Sequence, residues 1–144
     1  MLWASRAFPI EAGLGWLYSC SFQGAIQGAI LNEDGTVNSA TSAATGSSVV
    51  MIYATGAGRL EPQQQDGETT GFRLPLPKPW LGVGVLIAGW PAEALCAGAA
   101  PRLAAGVLQV NAKVPEKAPP ATRLPISIHL GDYASEFSVT VAVR

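Results

Sequence analysis

His129 is the only histidine in this chain of 144 residues, so a serine or cysteine hydrolase built on the sequence would have to use it. Ser127 stands two residues before it and Asp132 three after. Alternate residues of a strand share a face, so a Ser127/His129 pair is geometrically within reach, with Asp132 near in the chain. The ordinary reading of the same residues is a solvated histidine on the outward face of a sheet. No G-x-S-x-G elbow accompanies them, because Gly46-Ser47-Ser48 merely leads into an apolar segment.

The run Asn32-Glu33-Asp34-Gly35-Thr36-Val37-Asn38 offers oxygen ligands at alternate positions, as a calcium loop does. An EF-hand needs Gly at its sixth place and a bidentate Glu at its twelfth. Counted from Asn32, those places hold Val37 and Ala43, so that motif fails. The plain expectation is a hairpin turn with Asp34-Gly35 at its tip. A looser calcium site would draw on Asn32, Asp34 and Asp66. Glu61, Asp66 and Glu68 crowd one segment, where paired carboxylates for glycoside chemistry would have to converge in a cleft; they read as a solvated acidic loop. Trp80 and Trp90 bracket one expected hairpin, and their rings suit either stacking on sugars or ordinary core and rim packing. Cys20 and Cys96 are 76 positions apart and belong to no CxxC pair, so zinc and thioredoxin-like readings lack support. A disulfide between them would stabilise by roughly 4 kcal/mol, and two free, partly buried thiols are the plainer alternative.

The elements that must position these residues are strands. In residues 107–114 the apolar Leu108, Val110, Ala112 and Val114 alternate with Gln109, Asn111 and Lys113. Leu124, Ile126, Ile128 and Leu130 repeat the rhythm against Pro125, Ser127 and His129, and so do Phe137, Val139, Val141 and Val143. Such segments offer one face to a core and one to water, which predicts an antiparallel sheet packed on one side. Residues 25–31 predict a further strand, turned by residues 32–35 into a second arm at 36–38. Residues 39–48 read as a small polar linker. Residues 49–54 are apolar on both faces and predict a central strand. A long polar loop covers residues 60–70, and Pro75, Pro77 and Pro79 favour an extended edge crossing. Residues 83–87 alternate again, Gly89-Trp90-Pro91 predicts a turn with a return arm at 92–96, and residues 101–106 allow one helical turn at most.

The whole reads as an all-β, immunoglobulin-like antiparallel β-sandwich of about seven or eight short strands. One domain spans residues 24–144. Residues 1–23, aromatic-rich and without sustained period, form an irregular lead-in that pairs at most loosely at a sheet edge and is not clearly native to the domain. Hydrophobic residues at 49% and charged residues at 13% exclude intrinsic disorder. The net charge of −1, with scattered basic residues, argues against a nucleic-acid partner. No stretch approaches the roughly 20 apolar residues of a membrane span. Pro9 and Glu11 interrupt what would be a signal peptide's apolar run, so the expectation is a cytosolic chain or a piece of a longer exported protein.

Several short motifs recur in a recognisable order: Ala29-Ile30-Leu31-Asn32-Glu33-Asp34-Gly35-Thr36-Val37-Asn38-Ser39, then GSSVVMIYATGAG at residues 46–58, then Leu74-Pro75-Leu76-Pro77. Pro91-Ala92-Glu93, residues 104–111 and the closing residues 139–144 complete the set. In these the chain resembles the uncharacterised C-terminal domain found at the ends of large exported proteins of Solibacter-type Acidobacteria, over about four-fifths of its length. The resemblance implies an immunoglobulin-like or transcription-factor-immunoglobulin-like sandwich outside the cytoplasm, acting as an accessory module. It carries over no catalytic residue. Two departures stand out. Residues 1–23 do not look like the family's upstream lobe, and Cys96 stands where the family pattern favours Tyr, so a Cys20–Cys96 bridge would be peculiar to this chain.

Two functions follow as expectations. One is a non-catalytic extracellular module for adhesion, surface display or carbohydrate contact, with Trp80 and Trp90 as ligand-stacking residues. The alternative is a small hydrolase of an ester or lactone, with calcium as its cofactor, using His129, Ser127 and Asp132 or the Asn32, Asp34 and Asp66 groups. A truncated sandwich would also expose a strand edge through which copies could associate.

Overall fold

In the computed structural model of the chain, which describes residues 16–17, 19–20, 26–135 and 139–144, every regular element is a strand. The first four are short: β1 (Trp16–Leu17), β2 (Ser19–Cys20), β3 (Ile26–Gly28) and β4 (Ile30–Asn32). β5 (Val49–Thr55) precedes a small ribbon of β6 (Leu60–Glu61) and β7 (Lys78–Pro79). The remainder are β8 (Val83–Ile87), β9 (Trp90–Ala99), β10 (Val107–Lys113), β11 (Ala121–Leu130), β12 (Tyr133–Ala134) and β13 (Val139–Val143). Of the predicted lead-in at residues 1–23, positions 1–15, 18 and 21–23 lie outside the described residues, as does Phe137 at the start of the last alternation.

Alternation decides which residues enter the core. Val50, Ile52 and Ala54 of β5, Leu108, Val110 and Ala112 of β10, and Leu124, Ile126 and Ile128 of β11 are all buried. They meet Val85, Ile87 and Val141 in a single apolar cluster, so one core serves all the long strands. β5 is central as predicted, with β10 along one side and β1 and β4 along the other.

The strands follow the order β1-β5-β10-β9-β8-β11-β13-β3-β2, with β4 also on β5 and β12 also on β11. β1 and β2, the two ends of that path, are separated in the chain by a single residue. The sheet is therefore nearly closed into a barrel. Within the stretch read as a lead-in, Trp16 and Leu17 pair with Thr55 and Ala54, while Ser19 and Cys20 pair with Gly28 and Gln27.

The expected purely antiparallel sheet is corrected to a mixed one, because β13 pairs with β3 in parallel. The cause is a segment that serves both halves of the sheet. β4 runs antiparallel to β5, and β3, continuous with it except at Ala29, lies along β13 in the direction β4 has already set. Gly28 permits the close approach: a Cβ there would stand 2.8 Å from Val139 Cγ1 and 2.7 Å from Ile30 Cδ1.

Other expectations shift in detail. The turn after β8 is Ala88-Gly89, with φ of 51° and 79°, which is the two-residue hairpin geometry that matches strand twist. Trp90 therefore already belongs to β9. The expected short arm at 92–96 is instead a strand of ten residues, pairing first with β8 and then with β10. A bulge at Leu95 shifts the register within the β9–β10 pairing. The second arm at 36–38 reduces to a single bridge between Leu31 and Val37. The polar linker is not idle either, since Ala44 bridges Val143 in parallel. Residues 101–106 form turns without a helix.

Candidate functional site

Each candidate from the sequence has a definite place. Ser127 and His129 do share a face of β11, and Ser127 Oγ lies 3.1 Å from His129 Nε2. The solvated face expected for them is corrected at Ser127, which is 0% exposed, while His129 is half-buried. Asp132 sits in the turn after β11, is exposed, and makes no hydrogen bond or ion pair with His129 among the described residues. Among the described residues the pair therefore has no orienting carboxylate of a triad, and the Ser127 hydroxyl faces no solvent. Ser135, also buried, instead donates and accepts across β11: its Oγ accepts from the Ile128 amide at 2.9 Å and its own amide donates to the Ile128 carbonyl at 2.8 Å.

Asn32 is buried, and its side chain is fully engaged in structure. Nδ2 donates to the Ser42 carbonyl at 2.8 Å and to Thr36 Oγ1 at 3.0 Å, and Oδ1 accepts from Asn38 Nδ2 at 2.9 Å. Asp34 Oδ1 accepts from Thr36 Oγ1 at 2.6 Å and from the Thr36 amide at 3.0 Å, and Gly35 at the tip has φ 81°. The Thr36 hydroxyl, then the Thr36 amide, hold the Asp34 carboxyl below the usual carboxylate range. This is the geometry of a hydrogen-bonded turn. Asp66 stands exposed in a different loop, and no three acidic, histidine or cysteine groups cluster among the described residues. Glu61 pairs with Arg59 at 3.6 Å and Glu68 accepts from the Gln65 amide at 3.1 Å, so the three acids of that region do not converge on a cleft.

Trp80 and Trp90 are both on the surface, at 68% and 45% exposure. Each carries a cation against its ring: the Arg59 guanidinium 5.5 Å from the Trp80 centroid, and Lys117 Nζ 5.6 Å from that of Trp90. They flank β8 at its two ends, a strand of five residues or roughly 16 Å, so they form two platforms and not one clamp. Cys96 is exposed in β9 and free, and the Cys20 side chain lies outside the described residues.

A feature the residue types alone did not reveal is a groove of about 540 Å³ on the outer face of β9 and β10. Gln109, Asn111 and Cys96 line its floor, and Leu74, Pro75 and Leu76 its wall. The wall is held by the Ala99 amide, which donates to the Pro77 carbonyl at 2.7 Å. Gly98 allows this contact, because a Cβ there would meet Pro77 O at 3.0 Å. Gln109 Nε2 donates to Asn111 Oδ1 at 2.9 Å. Lys78 lines both this groove and an adjoining depression of about 280 Å³. The signals were present, in the proline run at 75–79 and the outward Gln109 and Asn111, but nothing in the sequence joins them.

Among the described residues no helix is long and apolar enough to cross a membrane. No protein-family model, curated protein or solved structure matches the chain.

Proposed function

We propose that this chain is a non-catalytic, immunoglobulin-like β-sandwich module of a longer extracellular protein, and that it contacts carbohydrate through exposed aromatic rings. The strand order supports the fold reading. In sequence order β4, β5, β8, β9, β10, β11 and β13 correspond to strands A to G, which makes β4-β5-β10-β9 an A-B-E-D sheet. β8-β11-β13 is then the C-F-G sheet, with β3 added along its G edge, and the two halves are joined where the start of β9 pairs with β8. The resemblance to the Solibacter-type C-terminal domain points the same way.

The observation that carries the functional reading is the contrast between two candidate sites. Trp80 and Trp90 present aromatic surface to solvent, each beside a cation, whereas Ser127 is sealed from it. Aromatic faces stack on the apolar faces of sugar rings, and a hydroxyl that meets no solvent meets no substrate. Because the two platforms are separate, a polymer that reaches both gains affinity over a short oligosaccharide by effective concentration. Calorimetry against a panel of polysaccharides tests this. Binding that weakens in Trp80→Ala and Trp90→Ala supports the reading, and absence of binding to every polymer contradicts it.

A further inference from the structure

Beyond the aromatic platforms, we propose that the groove between the 74–78 segment and β9–β10 binds an amphipathic anion, a medium-length apolar chain ending in a carboxylate. The volume, about 540 Å³, falls in the range of small-molecule sites, and its walls are mainly aliphatic, with Leu74 and Leu76 foremost. Among the described residues, Lys78 is the one charged residue lining the groove or the adjoining depression, so the charge complement is a single anion. Glu61, opposite Lys78 in register, is paired with Arg59 at 3.6 Å, and Lys78 forms no ion pair among the described residues. The lysine stem runs over the floor, with Cγ 4.0 Å from where a Cβ on Gly98 would stand, which lets the ammonium sit at the rim while its methylenes join the apolar lining. Gln109 Nε2 donates to Asn111 Oδ1 at 2.9 Å, which leaves the Asn111 side-chain N–H, without another hydrogen bond among the described residues, to donate to a carboxylate oxygen.

Cys96, a floor residue with an exposed thiol, supplies the readout. The rate of its alkylation by iodoacetamide, followed on the Cys96 peptide by mass spectrometry, is measured with decanoate below its micelle concentration and with decanol as the uncharged control. At decanoate ten times its Kd, mass action leaves about one-tenth of the thiols accessible, so alkylation slows about tenfold. Lys78→Glu weakens decanoate by about tenfold and leaves decanol protection unchanged, which shows that the groove itself persists. Lys78→Met, which keeps most of the stem, moves decanoate in the same direction by about threefold. Equal protection by decanoate and decanol, no protection by either, or decanoate protection unchanged in Lys78→Glu overturns the proposal.

Discussion

The side-chain amide of Asn38 pairs with both backbone groups of Ala142, residues 104 positions apart. Oδ1 accepts from the Ala142 amide at 2.7 Å and Nδ2 donates to its carbonyl at 2.9 Å. Asn38 is 0% exposed, and it also donates to Asn32 Oδ1 and accepts from Gln27 Nε2. A single amide thus stands in for a neighbouring strand where β13 has none. Just beyond, Ala44 continues the same seam, donating to the Ala142 carbonyl at 3.0 Å and accepting from the Arg144 amide at 2.8 Å.

Asn38→Ala leaves the Ala142 amide and Asn32 Oδ1 without their partners in a dry setting. A buried group left unpaired costs about 1–3 kcal/mol, so the expected loss is about 2–4 kcal/mol by chemical denaturation. Asn38→Asp fails similarly, because a carboxylate cannot donate to the Ala142 carbonyl. A loss below about 0.5 kcal/mol in both variants would contradict the role assigned to Asn38.

Gly98→Ala drives a methyl to 3.0 Å from the Pro77 carbonyl and displaces the segment that walls the groove. Overpacking of this kind costs about 1–3 kcal/mol, and Cys96 becomes quicker to alkylate as the wall moves off. Unchanged stability with an unchanged alkylation rate would show that the wall is not held at Gly98.

The Asp34 carboxyl, held low by Thr36, has a simple pH signature. A depressed folded-state pKa contributes stability that is present above the ordinary carboxylate value of about 3.9 and is lost as pH falls through the lower folded value. In Thr36→Val the Asp34 carboxyl titrates closer to its ordinary value, and the stability gap from the parent narrows as acid is added. Carbon-13 titration of Asp34 in both proteins checks this, and coincident curves would refute the assigned cause.

Ser127, sealed beside His129, does not react with a fluorophosphonate ester probe. Ser127→Ala costs about 1 kcal/mol for the lost hydrogen bond and changes no hydrolytic activity. Labelling of Ser127, read by mass spectrometry, would restore the hydrolase reading.

Strand character was readable wherever branched apolar residues alternate, as in residues 107–114 and 124–130, because the pleat turns alternation directly into burial. β9 was half hidden, since Ala94, Ala97, Gly98 and Ala99 carry weak strand preference and gain their place from the partners on either side. The parallel pairing of β3 with β13 was not legible at all. Around it, the Asn38 side chain and the Ala44 backbone meet the end of β13 about a hundred positions away, and Gly28 leaves room for the Val139 side chain. At the candidate site, the Ser127–His129 contact followed from two-residue spacing, but the burial of Ser127 depends on neighbours that spacing does not name. The groove, likewise, exists only once the proline segment folds across β9.

The most direct test of the functional account is an NMR titration of the assigned Trp80 and Trp90 indole N–H signals and the His129 imidazole with the best-binding polysaccharide. The account predicts that both indoles shift on binding while His129 stays in place. Movement of His129 with static indoles, or static signals throughout, would contradict it.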